Sequence, residues 1–428
     1  MSIPTVLVLP LPFQGHINPF MDLSIKLADR GFKIIFVNSD FIHQRTMDSL
    51  VKSHESLRGS NIKFVSIPDG LGPDEDRKDV IKFFSAVLNT MPGMLEKLID
   101  DISKDGNDRI SCIVADAQMG WALEVASKLG IRSAVLLIGS ASNFALHCCV
   151  PRMIDDGIID GNGTPVKKGT FQLSPSMPLM NTDHIPWSNF GDLESQKHLF
   201  QYYKGFTQIL NSTKWWLCNT TYELEPGVLS FIPKLLPIGP FMESSSSKTP
   251  LVQLWKEEPS CLDWLDEQPP CSVIYVAFGS LCIFNPNQFK ELALGLQLIN
   301  RPFLWVVRSD INSNTKHEYP DEFHGNLGKI VGWAPQKQVL SHPAIACFIS
   351  HCGWSSTIEG LCNVGLPLDS NEKGIVSSEE IKKKVEQLIN DGNIRGRSME
   401  LKEKLMSNIA EGGRSLENFA KFVKWLKE

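Results

Sequence analysis

Short apolar, β-branched runs alternate with amphipathic stretches along the first half of the chain, which is the pattern of parallel strands joined by helices. Strands are predicted at 5–9, 33–37, 63–67, 110–115 and 133–137, with helices at 18–29, 78–89, 94–102 and 121–129 between them. From Asp155 to Gly191 the chain is rich in Gly, Pro and Asn and reads as a long surface excursion, of the kind that shapes a substrate pocket. A second break follows, where Pro237-Ile238-Gly239-Pro240 precedes four serines at 244–247 and Pro250; this is a linker by composition. Beyond it the alternation resumes, with strands expected at 272–278, 303–307 and 346–350, and helices at 289–299, from 355, and from 377 to the end. Two doubly wound, Rossmann-like α/β domains are therefore expected, 1–240 and 261–428, joined by a linker at 241–260. Ligands of open parallel sheets bind beyond the carboxyl ends of the strands, which places the chemistry in a cleft between them.

Composition narrows the partners. A chain of 428 residues exceeds what one core usually serves, in keeping with two domains. With 42% hydrophobic and 21% charged residues it is an ordinary globular protein, and a net charge of −6 without a long basic run argues against nucleic acid or an anionic membrane. A small-molecule partner is favoured. The apolar start at 3–11 is interrupted by Pro4 and Pro10 and lacks a cationic leader, so it reads as a buried strand rather than a signal peptide. No apolar run approaches the roughly 20 residues that span a bilayer. Ten cysteines without a CxxC pair read as reduced thiols, which points to the cytosol and removes weight from the sequons at Asn162, Asn211 and Asn219. No metal site is expected: the triplet Asp74-Glu75-Asp76 follows Pro73 in a charged loop and reads as a solvated turn.

Two constellations carry candidate chemistry. His16, in Pro12-Phe13-Gln14-Gly15-His16-Ile17-Asn18-Pro19, follows the first strand, and Pro19 is suited to open the helix behind it. Asp116 ends the fourth strand in the same way. A carboxylate behind an imidazole fixes its tautomer and stabilises the imidazolium, as a general base for a hydroxyl requires; each residue alone would serve equally as a helix cap. The second constellation runs from Trp333-Ala334-Pro335-Gln336 through His351-Cys352-Gly353-Trp354-Ser355-Ser356-Thr357 to Glu359. A strand delivers His351, Gly353 allows close backbone approach, and hydroxyls at a helix start favour phosphate. Trp333 offers a flat face for a base and Glu359 an acceptor for ribose hydroxyls. In isolation, core packing and capping explain the same residues; their concentration favours a nucleotide site. No GxGxxG follows the first strand, which counts against a dinucleotide oxidoreductase.

The strings WAPQ, VLSH and HCGW with Glu359, together with QGHINP, Ala115-Asp116 and Phe278-Gly279-Ser280, resemble plant family 1 UDP-glycosyltransferases over nearly the whole chain. The resemblance implies a GT-B fold whose final helices pack back on the N-terminal domain. It implies inverting transfer of a sugar, glucose by default, from a UDP-sugar to a hydroxyl of a small apolar acceptor such as a phenolic, flavonoid or terpenoid. His16 would be the base and Asp116 its orienting partner. Trp333 would stack on uracil with Ala334 pairing to the base edge, Gln336 and Glu359 would hold the ribose, and Ser280, His351 and Ser356 the diphosphate. Gly353, Trp354 and Ser355 would complete the donor site, while Phe13, Trp121 and Phe144 would line the acceptor pocket. The UDP-sugar is a co-substrate, no metal or other cofactor is implied, and the enzyme would work as a monomer.

The chain departs from the family pattern at two places. Ser355 stands where the family has Asn. After Glu359 the family continues through a strand into an Asp-Gln pair that contacts the sugar, whereas here 361–369 runs directly into Gly374-Ile375-Val376, without that dipeptide. A strand-helix unit is therefore expected to be absent after 363, with 364–368 pairing in its place. The alternative reading is a nucleotide-binding or interaction protein that has lost turnover.

Overall fold

The computed structural model describes residues 3–50, 61–77, 79–104, 109–189, 191–241, 255–280, 282, 284–308, 319–320, 323–360 and 365–428. The chain packs as two compact units, one comprising Met1–Leu254 with Leu405–Glu428 and the other Trp255–Lys404.

The first unit is built on a seven-stranded parallel sheet: β1 (Thr5–Leu9), β2 (Lys33–Ser39), β3 (Ile62–Ile67), β4 (Ile110–Asp116), β5 (Arg132–Leu137), β6 (Trp215–Cys218) and β7 (Leu235–Pro237), in the order β3-β2-β1-β4-β5-β6-β7. Alternate residues of β2 separate the two faces. Ile35 and Val37 enter one core with Leu7 and Leu9; Ile34 and Phe36 enter the other with Val6 and Val8. Being buried on both sides is why these strands read as continuous apolar runs. The last two strands are apolar but only four and three residues long, and they were not among the expected strands.

Helix α1 (Gln14–Ala28) begins four residues ahead of the expected start, with Phe13 at its N-cap. Pro19 therefore lies inside the helix rather than opening it, and His16 belongs to the first turn. The expected helices at 78–89 and 94–102 are one, α2 (Val80–Lys104), continuous through Pro92. Phe83, Val87, Met91, Leu95 and Ile99 are all buried at spacings of four, a stripe that persists across the proline. At about 1.5–3 kcal/mol per buried side chain this outweighs the proline's cost of about 3 kcal/mol. Helices α3 (Trp121–Lys128), α4 (Ala141–Cys148) and α5 (Leu193–Leu210) cover the same face, with a two-stranded hairpin of Thr170–Phe171 and Met180–Asn181 in the excursion. The other face is closed by the C-terminal helix α9 (Arg414–Lys427). Its Phe419, Phe422, Val423 and Leu426 pack with Phe20, Phe32 and Phe36, and Arg132 donates to the carbonyls of Trp425 and Leu426 at 2.9 and 3.1 Å.

In the second unit, β8 (Val273–Ala277), β9 (Phe303–Val306), β10 (Gly328–Val331) and β11 (Ile345–Ser350) form a four-stranded parallel sheet in the order β10-β9-β8-β11. Helices α6 (Pro286–Ile299) and α8 (Ser378–Asn390) lie on one face, where Gly295 meets Ile381 too closely for a Cβ without adjustment. Residues 361–364 are outside the described set. Residues 365–368 form no strand, so the expected substitute pairing is not made by the described part of that segment. Among the described residues no helix is long and apolar enough to cross a membrane.

Candidate active site

In the first unit, β1 and β4 are neighbours in register, Leu9 beside Ala115, so the two chains leave the sheet side by side. After β1 the chain tightens, Phe13 N–H donating to Leu11 O at 2.7 Å, and enters α1 with His16 N–H bonded to Phe13 O at 2.9 Å. This short turn returns His16 over the end of β4. Its Nδ1 lies 2.6 Å from Asp116 Oδ2. The carboxylate is 2% exposed and also accepts from Gln118 N–H at 2.9 Å on Oδ1 and from Leu11 N–H at 3.4 Å on Oδ2. An ionised carboxylate only accepts, so the shared proton resides on Nδ1 and Nε2 is left as the basic nitrogen. The imidazole keeps 18% of its side chain in solvent.

Of the three expected acceptor-pocket residues, Phe13 is half-buried, with its ring 4.9 Å from that of Phe83. Trp121 and Phe144 are buried members of the core, Phe144 meeting Trp216 edge-on at 5.6 Å. The triplet at 74–76 forms a turn in which Glu75 accepts from Gly72 N–H at 2.6 Å and pairs with Lys82 at 2.7 Å.

The second unit gathers its residues at the ends of β8 and β11, also adjacent, with Ala277 beside Ser350. After β11 the chain makes a tight corner: Cys352 takes a φ of 55°, Ser350 Oγ accepts from Cys352 N–H at 2.9 Å, and Thr357 Oγ1 donates to Cys352 O at 3.2 Å. A left-handed non-glycine residue costs about 1–2 kcal/mol, which the two side-chain hydrogen bonds offset. Helix α7 (Trp354–Glu359), with Gly353 at its N-cap, follows. Its six residues make a short helix, whose start offers individual N–H groups and hydroxyls more than a long dipole.

His351 is packed between two glycines. A Cβ on Gly279, whose φ is +66°, would come within 2.7 Å of the imidazole, and one on Gly353 closer still. Arg308, 2% exposed, donates to Gly279 O at 2.8 Å and fixes that turn next to Ser280. His351 is exposed at this corner, yet partial desolvation by the chain packed against its ring holds its pKa below the ordinary value, which favours the neutral ring with one N–H donor.

Gln336, Ser356 and Glu359 form a hydrogen-bonded cluster. Gln336 Nε2 donates to Glu359 Oε2 at 2.8 Å and to Ser356 Oγ at 3.2 Å, and Gln336 Oε1 accepts from Tyr275 O–H at 3.3 Å. Tyr275 is 1% exposed; burial first, and then Glu359, pushes its pKa well above the usual value, so it remains a donor. Trp333 lies beside Trp255 with centroids 5.9 Å apart, and its loop is tied down by Gly332 N–H to Glu258 Oε1 at 2.6 Å and Glu258 N–H to Trp333 O at 2.9 Å. Ala334 is buried. Tyr275, Arg308 and Glu258 were not singled out in the sequence, because a tyrosine within a strand or an arginine just past one looks like any core position, and Glu258 like any exposed loop residue.

The profile of UDP-glucoronosyl and UDP-glucosyl transferases matches residues 199–401, and that of a glycosyltransferase N-terminal domain matches residues 3–154. UDP-glycosyltransferase 83A1 of Arabidopsis thaliana is 40% identical, covering 100% of this chain and 97% of its own length. This chain belongs to the plant family 1 UDP-glycosyltransferases. A second relative, the 7-deoxyloganetin glucosyltransferase of Gardenia jasminoides, is 31% identical over 98% of this UDP-glycosyltransferase and 96% of its own chain. The fold is GT-B: Os79 from O. sativa, solved in complex with UDP, matches with a TM-score of 0.80 at 23% identity, covering 98% of this chain and 100% of its own. An anthocyanidin 3-O-glucosyltransferase, also solved with UDP, matches with a TM-score of 0.79 at 21% identity over 100% and 99%. The enzyme thus performs UDP-sugar-dependent glycosyl transfer. The match to the Arabidopsis relative spans 460 positions against 428 residues here, so at least 32 positions of that relative (460 less 428) have no counterpart in this chain.

Proposed function

We propose that this UDP-glycosyltransferase moves glucose from UDP-glucose to a hydroxyl of a small apolar acceptor, inverting the anomeric carbon. The observation that carries the reading is the His16–Asp116 pair, a basic imidazole nitrogen backed by a buried carboxylate. His16 Nε2 takes the acceptor's proton as its oxygen bonds to the anomeric carbon; the bond from that carbon to the diphosphate oxygen breaks and UDP departs with the electron pair. Asp116 stabilises the imidazolium that results. The neutral His351, with Ser280 and Ser356, donates to the diphosphate; Ser355, Gly353 and Trp354 border it; Trp333 and Ala334 receive uracil; Gln336 and Glu359 accept the ribose hydroxyls. The step as written calls on no metal or further cofactor.

Phe13 supports an apolar acceptor through its half-buried ring at the start of α1. Trp121 and Phe144 act through the packing that shapes that region. We place the shortfall relative to the Arabidopsis enzyme after Glu359, where the Asp-Gln dipeptide is missing, and expect a weakened hold on the sugar, seen as low kcat rather than poor UDP affinity. In this reading the protein works in the cytosol, which suits the nine free cysteines among the described residues, and as a monomer.

The test is UDP release with UDP-glucose and a panel of phenolic, flavonoid and terpenoid acceptors, repeated with His16→Ala. Turnover on at least one acceptor that disappears in the variant supports the proposal. Tight UDP binding with no turnover on any acceptor would overturn it in favour of a nucleotide-binding relative.

A further inference from the structure

We propose that Tyr202 is a positioning residue for the His16–Asp116 pair, acting through residue 118; the proposal rests on the reading of His16 as the base. Tyr202 lies on α5, outside every motif considered above. Its hydroxyl donates to Gln118 O at 2.7 Å, and the N–H of the same residue donates to Asp116 Oδ1 at 2.9 Å. Asp116 Oδ2 then meets His16 Nδ1 at 2.6 Å. Three hydrogen bonds thus run in series from α5 to the imidazole. The turn they pass through is closed by Met119 N–H to Asp116 O at 2.8 Å.

The orientation of a carboxylate whose other oxygen accepts a backbone N–H is set by where that N–H points. Residue 118 lies in that turn, and its N–H and C=O belong to successive peptide groups joined at its Cα. Tyr202 holds the second of these groups and, through the Cα they share, restrains the first. Burial first, then Tyr203 and Asp116, keep the Tyr202 pKa well above the usual value, so the hydroxyl is a permanent donor. Packing alone does not require that hydroxyl: the ring rests on Phe84 with centroids 4.2 Å apart, a contact that phenylalanine would make equally. A buried hydroxyl introduced where none is needed is costly, which favours a role for the O–H itself.

Tyr202→Phe removes only the hydroxyl. The expected result is a fall in kcat of about tenfold, the scale of one net hydrogen bond, with KM for UDP-glucose unchanged. The downfield His16 Nδ1 proton resonance, assigned by its absence in His16→Ala, should also move upfield. Phe84→Leu is the packing control: it lowers the melting temperature but leaves kcat and the resonance in place. Should Tyr202→Phe melt below the assay temperature, 3-fluorotyrosine at position 202, a stronger donor of nearly the same shape, takes its place, and the same resonance must shift. A lowered melting temperature with kcat and the resonance unmoved would overturn the proposal and leave Tyr202 a structural residue. If His16→Ala keeps its turnover, the base assignment fails instead, whatever Tyr202→Phe does.

Discussion

Asp116 Oδ2 stands 2.6 Å from His16 Nδ1, while two backbone N–H groups occupy other acceptor sites of the same buried carboxylate. An amide at position 116 can reproduce the shape but not the charge that stabilises the imidazolium. Asp116→Asn should lower kcat by about 10²-fold, within the range of a lost acid–base contribution. The dissociation constant for UDP, measured by calorimetry, should not change. An equal loss of UDP affinity would show that Asp116 serves the fold rather than the base.

Glu359 accepts from Gln336, whose amide orientation is fixed by donation to Ser356 and by the Tyr275 hydroxyl. With its nitrogen committed, Gln336 has acceptor capacity left only on the oxygen that already takes the Tyr275 hydroxyl, and Glu359 only accepts, so the cluster suits hydroxyl donors as proposed. Glu359→Ala should weaken UDP binding by about 10–100-fold, the scale of a hydrogen bond to a charged group. 2′-Deoxy-UDP should bind wild type more weakly than UDP, and the variant should no longer distinguish the two. Calorimetry with both nucleotides decides it, and a variant that still prefers the ribonucleotide would refute the assignment.

Gly279 and Gly353 leave no room beside the His351 ring, and Gly279 also has a left-handed backbone. Gly279→Ala should displace the imidazole and strain the turn that carries Ser280. The expected outcome is at least a tenfold loss in UDP affinity with the circular dichroism spectrum retained. Unaltered affinity would mean that His351 can move without consequence and is no phosphate donor.

The motifs were legible because the carboxyl ends of parallel strands are where chemistry collects, and their residues stand out against apolar runs. His16 and Asp116 could be paired from sequence because each follows a strand recognisable by its β-branched content. The supports behind them were not legible. Tyr275 and Arg308 are amphipathic residues in buried positions and Tyr202 is one in a half-buried position, and nothing local shows that a tyrosine hydroxyl reaches a carbonyl 84 residues away. The break expected within α2 failed for a similar reason. Pro92 is a local signal, whereas the stripe from Phe83 to Ile99 that overrides it gains its energy from tertiary burial.

Arg132 caps the C-terminal helix by donating to the carbonyls of Trp425 and Leu426, with its guanidinium 4.9 Å from the Trp425 ring. The last carbonyls of a helix lack intrahelical donors, and a cation also suits that end of the dipole. Arg132→Ala should cost about 1–3 kcal/mol, from hydrogen bonds to a charged donor and a cation–π contact. Urea denaturation should show a lower midpoint with the slope unchanged. Arg132→Lys, which cannot span both carbonyls, should recover only part of the loss.

His147 provides an acid-sensitive element in the first unit. Its ring lies 4.2 Å from that of Tyr203 and 5.5 Å from that of Trp187, and burial lowers its pKa from 6.5 to about 4. Because the folded value is depressed, the unfolded chain binds the extra proton between these two values. The contribution to stability is therefore complete above pH 6.5, declines as pH falls through that window, and is exhausted below about 4. A gap of this size corresponds to about 3 kcal/mol. His147→Phe keeps an aromatic ring in the same surroundings but removes the titration. Between pH 7 and pH 4.5 its unfolding free energy should fall less than that of the wild type, by about 2–3 kcal/mol. Denaturation curves at a series of pH values measure this directly, and parallel slopes for the two proteins would show that His147 does not titrate on unfolding.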